Sequence, residues 1–387
     1  MGFEFSWLLL ALPFAFVLGW LASRLDWRQM RILQRSAPKT YYRGLTYLLN
    51  EQQDKAIDVF VQAVQNDPDT IELHFALGNL FRRRGEYDRA IRVHEHLLAR
   101  ADLHPHDRDR AQYDLAQDFM KAGLYDRAET ALKKLAGTSL ENDGLIALLF
   151  IYERAQDWKL ATEVTRQMEK NAQGDFSGRR CHYLCEQAVH ARESQQYEQA
   201  AQLLEAARKE ASSSIRPHIE TIELWLRQDR PETAWQAILA LEARDTAPAA
   251  LALVAHHLST LAQAQGHEHL VQAQAFLQRQ YERQPSLDIL VALVDVETAL
   301  QNPQAAQWYL LRQLQAPSLV AAARWMGQTA QLPAADRPAL QQALQRAQEP
   351  LMRYRCAACG FETRRYFWQC PGCQSWESYP PQRIEEL

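Results

Sequence analysis

Residues 85–91 read GEYDRAI, and residues 123–129 read GLYDRAE. The pattern G-x-Y-x-x-A stands at Gly85, Tyr87 and Ala90 and returns at Gly123, Tyr125 and Ala128. It belongs to a longer period. Gly44, Tyr47, Ala56, Phe60, Ala63 and Pro68 are followed 34 residues later by Gly78, Phe81, Ala90, His94, Leu97 and Asp102. The first three positions keep their character and the later ones blur. A four-residue insertion around 103–106 brings the register back at Ala116, Phe119 and Ala128. Fainter copies follow at Trp158/Ala161, Tyr197/Ala200 and Pro231/Ala234, the last two again 34 apart.

A 34-residue period of this kind resembles the tetratricopeptide repeat, a helix-turn-helix unit. Small residues at the Gly44 and Ala56 positions let two helices approach, and aromatics at the Tyr47 and Phe60 positions fill the space between them. Beyond residue 250 paired helices are expected around 250–264, 268–283, 287–300, 303–315, 319–331 and 336–347. Composition agrees with an all-α class. Glycine is only 14 of 387 residues, too few for many tight β-turns or phosphate-cradling loops. The chain is 47% hydrophobic and 23% charged, which suits a folded protein. A mean hydropathy of -0.41 argues against a polytopic membrane protein. Residues 37–348 are therefore read as one tetratricopeptide-repeat solenoid. Such stacks expose an extended concave surface, which implies protein interaction.

The ends differ from this middle. Phe5 to Ala22 carries no charge, and eighteen helical residues span about 27 Å, close to a bilayer core of ~30 Å. Trp7 and Trp20 stand near its ends as interfacial aromatics do. A cleaved signal peptide would need a basic start, yet the first residues hold Glu4 and no Lys or Arg. The first positive charges follow the apolar run at Arg24, Arg28, Arg31, Arg35 and Lys39. The reading is an uncleaved anchor at 1–23, N-terminus outside, with the rest of the chain in the cytosol. Arg24, Arg28, Arg31 and Arg35 would share one helical stripe over 24–36, which either lies along anionic headgroups or is a solvated face that only fixes topology.

The strongest chemical signal closes the chain. Cys356 and Cys359 form one C-x-x-C and Cys370 and Cys373 a second, ten residues on. Two residues between thiolates let both reach one tetrahedral ion, so residues 349–387 read as a small four-cysteine module. Gly360 can supply a positive φ after the first pair, and Pro371 and Gly372 shape the second. Four protein ligands leave no open position, so the expected ion, zinc or iron, is structural. The wording looks like a rubredoxin knuckle pair, with two departures: a short intervening loop, and Gln374 where glycine is usual. Tyr354, Phe361, Tyr366, Phe367, Trp368 and Trp376 exceed the needs of so small a module. Some are expected to pack on the last helices of the solenoid.

Other features carry less. Cys181 and Cys185 lie four apart beside His182 and read as core thiols. His94-Glu95-His96 and His267-Glu268-His269 place histidines two apart, which face different ways on a helix, so both are expected on exposed faces. His104, His106 and Asp107 read as a polar connection. Neither a phosphate loop, a dinucleotide fingerprint nor a catalytic triad motif occurs. A net charge of -4, with 43 basic and 47 acidic residues, gives no nucleic-acid footprint. Arg353, Arg355, Arg364 and Arg365 do give the four-cysteine module local positive charge beside aromatics.

The order of anchor, basic neck, divergent repeats and rubredoxin-like module resembles the lipopolysaccharide assembly protein B family of Gram-negative bacteria. The resemblance covers essentially the whole chain. It is most specific at Tyr366 to Trp376 and at Tyr41-Tyr42-Arg43-Gly44-Leu45. It implies an inner-membrane adaptor, not an enzyme, with its N-terminus periplasmic. It implies that the chain lowers lipopolysaccharide synthesis by promoting destruction of the LpxC deacetylase by the FtsH membrane protease. Metal ligation carries over onto Cys356, Cys359, Cys370 and Cys373. Other lipopolysaccharide synthesis or transport proteins, and membrane lipids through anchor and neck, are further implied contacts; no nucleic acid is implied, and a homodimer stays open. Two alternatives stand beside it: a membrane scaffold that gathers envelope-assembly enzymes without proteolysis, and a nucleic-acid-binding zinc ribbon on a repeat stalk.

Overall fold

The computed structural model describes residues 16, 17, 20, 43, 44, 46, 47, 50, 52–66, 71–242, 248–329 and 337–387. The chain divides into two compact units, Met1–Ile151 and Tyr152–Leu387. Of the N-terminal apolar run only Phe16, Val17 and Trp20 are described, as helical residues; the rest of the expected anchor at 1–23, and the basic neck at 24–36, lie outside the described residues. Among the described residues no helix is long and apolar enough to cross a membrane.

The first unit holds α1 (Gln53–Asn66), α2 (Ile71–Arg84), α3 (Tyr87–Ala99), α4 (Pro105–Lys121) and α5 (Tyr125–Lys133). It ends within α6 (Glu141–Ala155). Each of α1 to α5 packs on its sequence neighbour, and α2 also reaches α4, the pairing that stacked helix-turn-helix units require. The small positions of the repeat sit where helices cross. A Cβ built on Gly44 would lie 2.7 Å from the Phe60 ring, and one on Gly78 would lie 2.5 Å from His94. Gly78 and His94 therefore repeat the Gly44–Phe60 contact one period later.

That places His94 in the core, not on an exposed face as its spacing to His96 suggests. His94 is fully buried, while Glu95 and His96 are exposed. Its Nδ1 lies 2.5 Å from Asp118 Oδ2, and Arg82 donates to Asp118 Oδ1 at 2.8 Å and to Asp114 Oδ1 at 2.9 Å. A polar aromatic in an apolar slot thus recruits a carboxylate and an arginine, as burial of polar groups demands. The other HEH run sits on the surface side of its helix, with His267 and Glu268 exposed and His269 half-buried. His104, His106 and Asp107 do not form a loop: Pro105 starts α4, so His106 and Asp107 lie in its first turn.

The second unit continues with α7 (Trp158–Lys170), α8 (Ser177–Glu193), α9 (Tyr197–Glu210), α10 (Arg216–Arg227) and α11 (Pro231–Leu241). Then come α12 (Ala252–Gln265), α13 (His267–Arg283), α14 (Leu287–Ala299), α15 (Gln307–Gln315), α16 (Leu319–Thr329) and α17 (Arg337–Gln348). Helix α15 starts four residues later than its apolar pattern suggests. The Asn302 side chain accepts from Gln304 N at 3.0 Å and holds a turn there. Cys181 and Cys185 are fully buried core thiols, packed with Ala200 and Leu204. The main core of this unit runs from Ile219 to Ala321 and centres on Trp235, Leu258 and Leu290.

The helix-ending turns explain why the later repeats look faint. After α2, Gly85 has φ +82° and Glu86 N donates to Phe81 O at 2.9 Å. After α4, Gly123 has φ +76° and Leu124 N donates to Phe119 O at 2.8 Å. This six-to-one bond with a left-handed residue is the Schellman stop. It recurs at Gln156, Gln195, Asp229 and Gln301, with φ between 55° and 61°. The matching bonds are Asp157 N to Tyr152 O, Gln196 N to Ala191 O, Arg230 N to Trp225 O and Asn302 N to Glu297 O, at 2.8–3.0 Å. The backbone of the repeat survives where its glycine has been replaced.

Candidate metal centre

Two knuckles of identical hydrogen bonding build the centre. Cys356 N donates to Phe361 O at 3.0 Å and Gly360 N to Cys356 O at 2.9 Å. Fourteen residues on, Cys370 N donates to Ser375 O at 2.9 Å and Gln374 N to Cys370 O at 2.8 Å. Gly360 has φ +77° and Gln374 φ +61°, so both occupy the left-handed turn position. Glycine takes it freely; Gln374 holds it against its Cβ. A two-stranded antiparallel ladder, β1 (Tyr354–Arg355) with β2 (Glu362–Thr363), flanks the first knuckle, and a Gln369–Trp376 bridge flanks the second.

The four sulfurs of Cys356, Cys359, Cys370 and Cys373 lie within 4.8 Å of one another. Cys356 and Cys373 are 3.8 Å apart at sulfur, and Cys359 and Cys370 3.7 Å. Four sulfurs about 2.3 Å from a central zinc ion would be about 3.8 Å apart, so the spacing fits a tetrahedral ion. The charges fit as well. Burial works against the Cys356 thiolate, but hydrogen bonds from Ser378 and from the amides of Cys359 and Ala358 bring that thiol well below its ordinary range. At Cys359 the Phe361 amide favours the thiolate, but burial and the neighbouring thiols outweigh it and push that thiol up. One thiolate forms readily and opposes the next; a cation at the centre lets all four ionise. Among the described residues no other cluster of metal-ligating side chains reaches this density.

Aromatic side chains dock the module: Tyr354 reaches Asp288 of α14, as expected of the later helices, but the main anchor, Trp376, sits on α8, far from the chain's end. Trp376 stacks on His182 of α8 at 4.8 Å between ring centres, and meets Tyr183 and Trp158 edge-on at 5.9 and 6.0 Å. Its Nε1 donates to Glu153 Oε1 at 3.1 Å, an oxygen that also accepts from Tyr183 at 2.5 Å. Arg216, which is 2% exposed, lies 5.4 Å from the Trp368 ring centre and 5.9 Å from that of Trp376. Arg216 Nη1 donates to His182 Nδ1 at 3.1 Å, so the remaining proton sits on Nε2 and points to Glu377 Oε1 at 3.0 Å. That bond from His182 holds the Glu377 carboxyl below its usual range. Phe361 and Phe367 stay exposed instead.

The chain beyond the knuckles grips helices further along. Arg383 forms a forked pair with Asp288 of α14, with contacts of 2.7–3.1 Å, beside a hydrogen bond of 3.1 Å from Tyr354 to the same carboxylate. Glu386 accepts from Leu287 N at 2.7 Å, at the start of α14. Glu385 accepts from Leu319 N, and from Ser318 Oγ at 2.6 Å, at the start of α16. Carboxylates at helix N-termini satisfy free N–H groups and face the positive end of the dipole. The module therefore bridges α8 and α10 to α14 and α16 within the second unit.

Two carboxylates meet three of the four local arginines. Arg353 and Arg355 share Glu362, and Arg364 pairs with Glu349, which offsets half of the module's local positive charge. The clustering of the four cysteines is readable from spacing alone. Ser375, Ser378 and Tyr379, whose hydroxyls reach the sulfurs, escape that reading, although they follow the second knuckle directly. Glu153, His182, Arg216 and Asp288 carry no sequence signal, because their partners lie far along the chain.

Fold and site together define a tetratricopeptide-type helical-repeat protein carrying a rubredoxin-like tetrathiolate module. The module matches the family described as rubredoxin metal binding domain over residues 354–380, and residues 73–109 match the tetratricopeptide repeat. Lipopolysaccharide assembly protein B of Escherichia coli K12 is 31% identical over 97% of this chain and 98% of its own length. The Haemophilus influenzae protein of the same name is 27% identical over 98% of each chain. The chain belongs to the lipopolysaccharide assembly protein B family.

Proposed function

We propose that this protein is an inner-membrane adaptor of lipopolysaccharide assembly, which hands the LpxC-type deacetylase to an FtsH-type protease. The observation that supports it best is the end-to-end match, 97% of the chain, to a protein named for lipopolysaccharide assembly. The apolar run at 5–22 is the anchor, single-pass, with the bulk of the chain on the cytoplasmic side. Confining adaptor and protease to one membrane raises their effective concentration for each other. The helical repeat offers the contact surface, and the tetrathiolate module fixes the relative placement of α8, α10, α14 and α16. Cys356, Cys359, Cys370 and Cys373 would hold zinc or iron, which supplies folding energy to a segment too short for its own core. Visible absorption of iron-thiolate separates the two metals.

The test is a crosslinked pull-down from membranes, joined to the deacetylase half-life with and without the protein. Co-recovery of protease and deacetylase, with a longer half-life in its absence, is the expected result. An unchanged half-life would overturn the proteolytic reading and favour a scaffold.

A further inference from the structure

Two of the four sulfurs need donors that solvent cannot give. Cys356 and Cys370 are 1% and 0% exposed, whereas Cys359 and Cys373 reach the surface. Four thiolates on one divalent ion sum to a dianion, and buried negative charge without hydrogen bonds is costly. The chain answers with hydroxyls from one short stretch, Ser375-Trp376-Glu377-Ser378-Tyr379. Ser378 Oγ lies 3.2 Å from Cys356 Sγ, and Tyr379 Oη lies 3.5 Å from Cys370 Sγ. Ser375 Oγ lies 3.3 Å from Cys373 Sγ.

Each hydroxyl has one proton, and two of them also have a carbonyl in reach. Ser375 O lies 3.2 Å from Ser378 Oγ, and Phe361 O lies 3.3 Å from Tyr379 Oη. A metal-bound thiolate is charged and a peptide carbonyl is not, so the sulfur is the stronger acceptor once the ion is bound. Water can serve Cys373 if Ser375 is lost. No water reaches Cys356 or Cys370 through a buried wall, so without the hydroxyls Cys356 keeps only the amides of Ala358 and Cys359.

The geometry points to Ser378 and Tyr379 as metal-retaining residues of this centre, hydroxyl donors that stabilise its two buried thiolates, with Ser375 a replaceable third. This rests on the reading of the four cysteines as a metal centre, and adds residues that act through the ligands. They are positioning residues.

Cobalt(II) is the probe, loaded into the full-length chain in detergent and withdrawn by a chromophoric chelator. Ser378→Ala and Tyr379→Phe should each weaken retention about 10–100-fold, as loss of a ligand's hydrogen-bond partner does elsewhere. Ser375→Ala should stay within about threefold, since solvent replaces its hydroxyl. The sulfur-to-cobalt charge-transfer bands should move to lower energy in the first two, because a thiolate relieved of a hydrogen bond is easier to oxidise. Ser378→Thr, which keeps the hydroxyl, should restore retention and band position. Unmoved bands with retention within about threefold for both Ser378→Ala and Tyr379→Phe would overturn the proposal. Failure of the unaltered chain to take up cobalt(II) would instead overturn the metal centre, and the hydroxyl role with it. Circular dichroism separates metal loss from misfolding, and were Tyr379→Phe to misfold, the Ser378→Ala and Ser378→Thr pair decides.

Discussion

Replacing Trp376 by alanine isolates docking from metal holding. The ring stacks on His182, touches Tyr183 and Trp158 by its edge, and donates to Glu153. Truncation strands no charge: Glu153 keeps Tyr183 and Arg179, and His182 keeps Arg216 and Glu377. What is lost is packing, one hydrogen bond and the second aromatic face under Arg216. Full burial of an aromatic gives about 3–5 kcal/mol on truncation, and Trp376 is half-buried, so about 3 kcal/mol is expected. For a unit of this size each kcal/mol moves Tm by about 2–4 °C, giving a drop of about 6–12 °C. Calorimetry of the metal-loaded protein measures it, with the cobalt(II) spectrum recorded alongside. The spectrum should be unchanged, since Trp376 touches no ligand. A Tm shift below about 2 °C would refute the view that this contact holds the second unit together. Loss of the spectrum would refute the separation of docking from metal binding.

Three further outcomes are expected. Gln374→Gly should raise stability by about 0.5–1 kcal/mol in denaturant titration, because it removes left-handed strain at φ +61° and keeps the knuckle bond. Gly78→Ala should destabilise the first unit by about 1–3 kcal/mol, since its Cβ would meet the buried His94 ring at 2.5 Å; an unchanged denaturation midpoint would contradict the repeat contact. Glu377→Gln should be less stable than the parent at neutral pH. Because the Glu377 carboxyl is held low by His182, its contribution is fully present above the ordinary carboxylate range of about 4.3 and fades as pH falls through the lower folded value. The two proteins should converge in stability below about pH 4; a gap that widens on acidification would reverse the assigned sign.

Legibility in the sequence followed distance along the chain. The four-cysteine cluster could be read because knuckle geometry is local: two residues between the thiols of each pair, a positive-φ position just after. The helix pairs could be read where glycine marks the stop, as at Gly85 and Gly123. They faded at Gln156, Gln195, Asp229 and Gln301, where the same turn is made by residues that do not advertise it. His94 carries two signals that disagree. Its spacing to His96 points outward, while the 34-residue register places it in the slot of Phe60; packing obeys the register. The docking surface was not legible at all, since it depends on which helices the stack brings beneath Trp376, and that is tertiary information.

The docking contacts also set an order in time. His182 meets Glu377 across 195 residues of chain, and Glu153 meets Trp376 across 223. During synthesis α6 to α10 emerge first and hold a buried-type arginine, a histidine and a carboxylate with nothing yet to cover them. Local helix pairing is fast, but these contacts form only after the last helices are made and the knuckles have closed. Closure of the C-terminal module is therefore the last step in building the second unit. Until it closes, the faces of α8 and α10 that receive Trp376 and Trp368 stay open, a surface of the kind by which unfinished chains are told from finished ones.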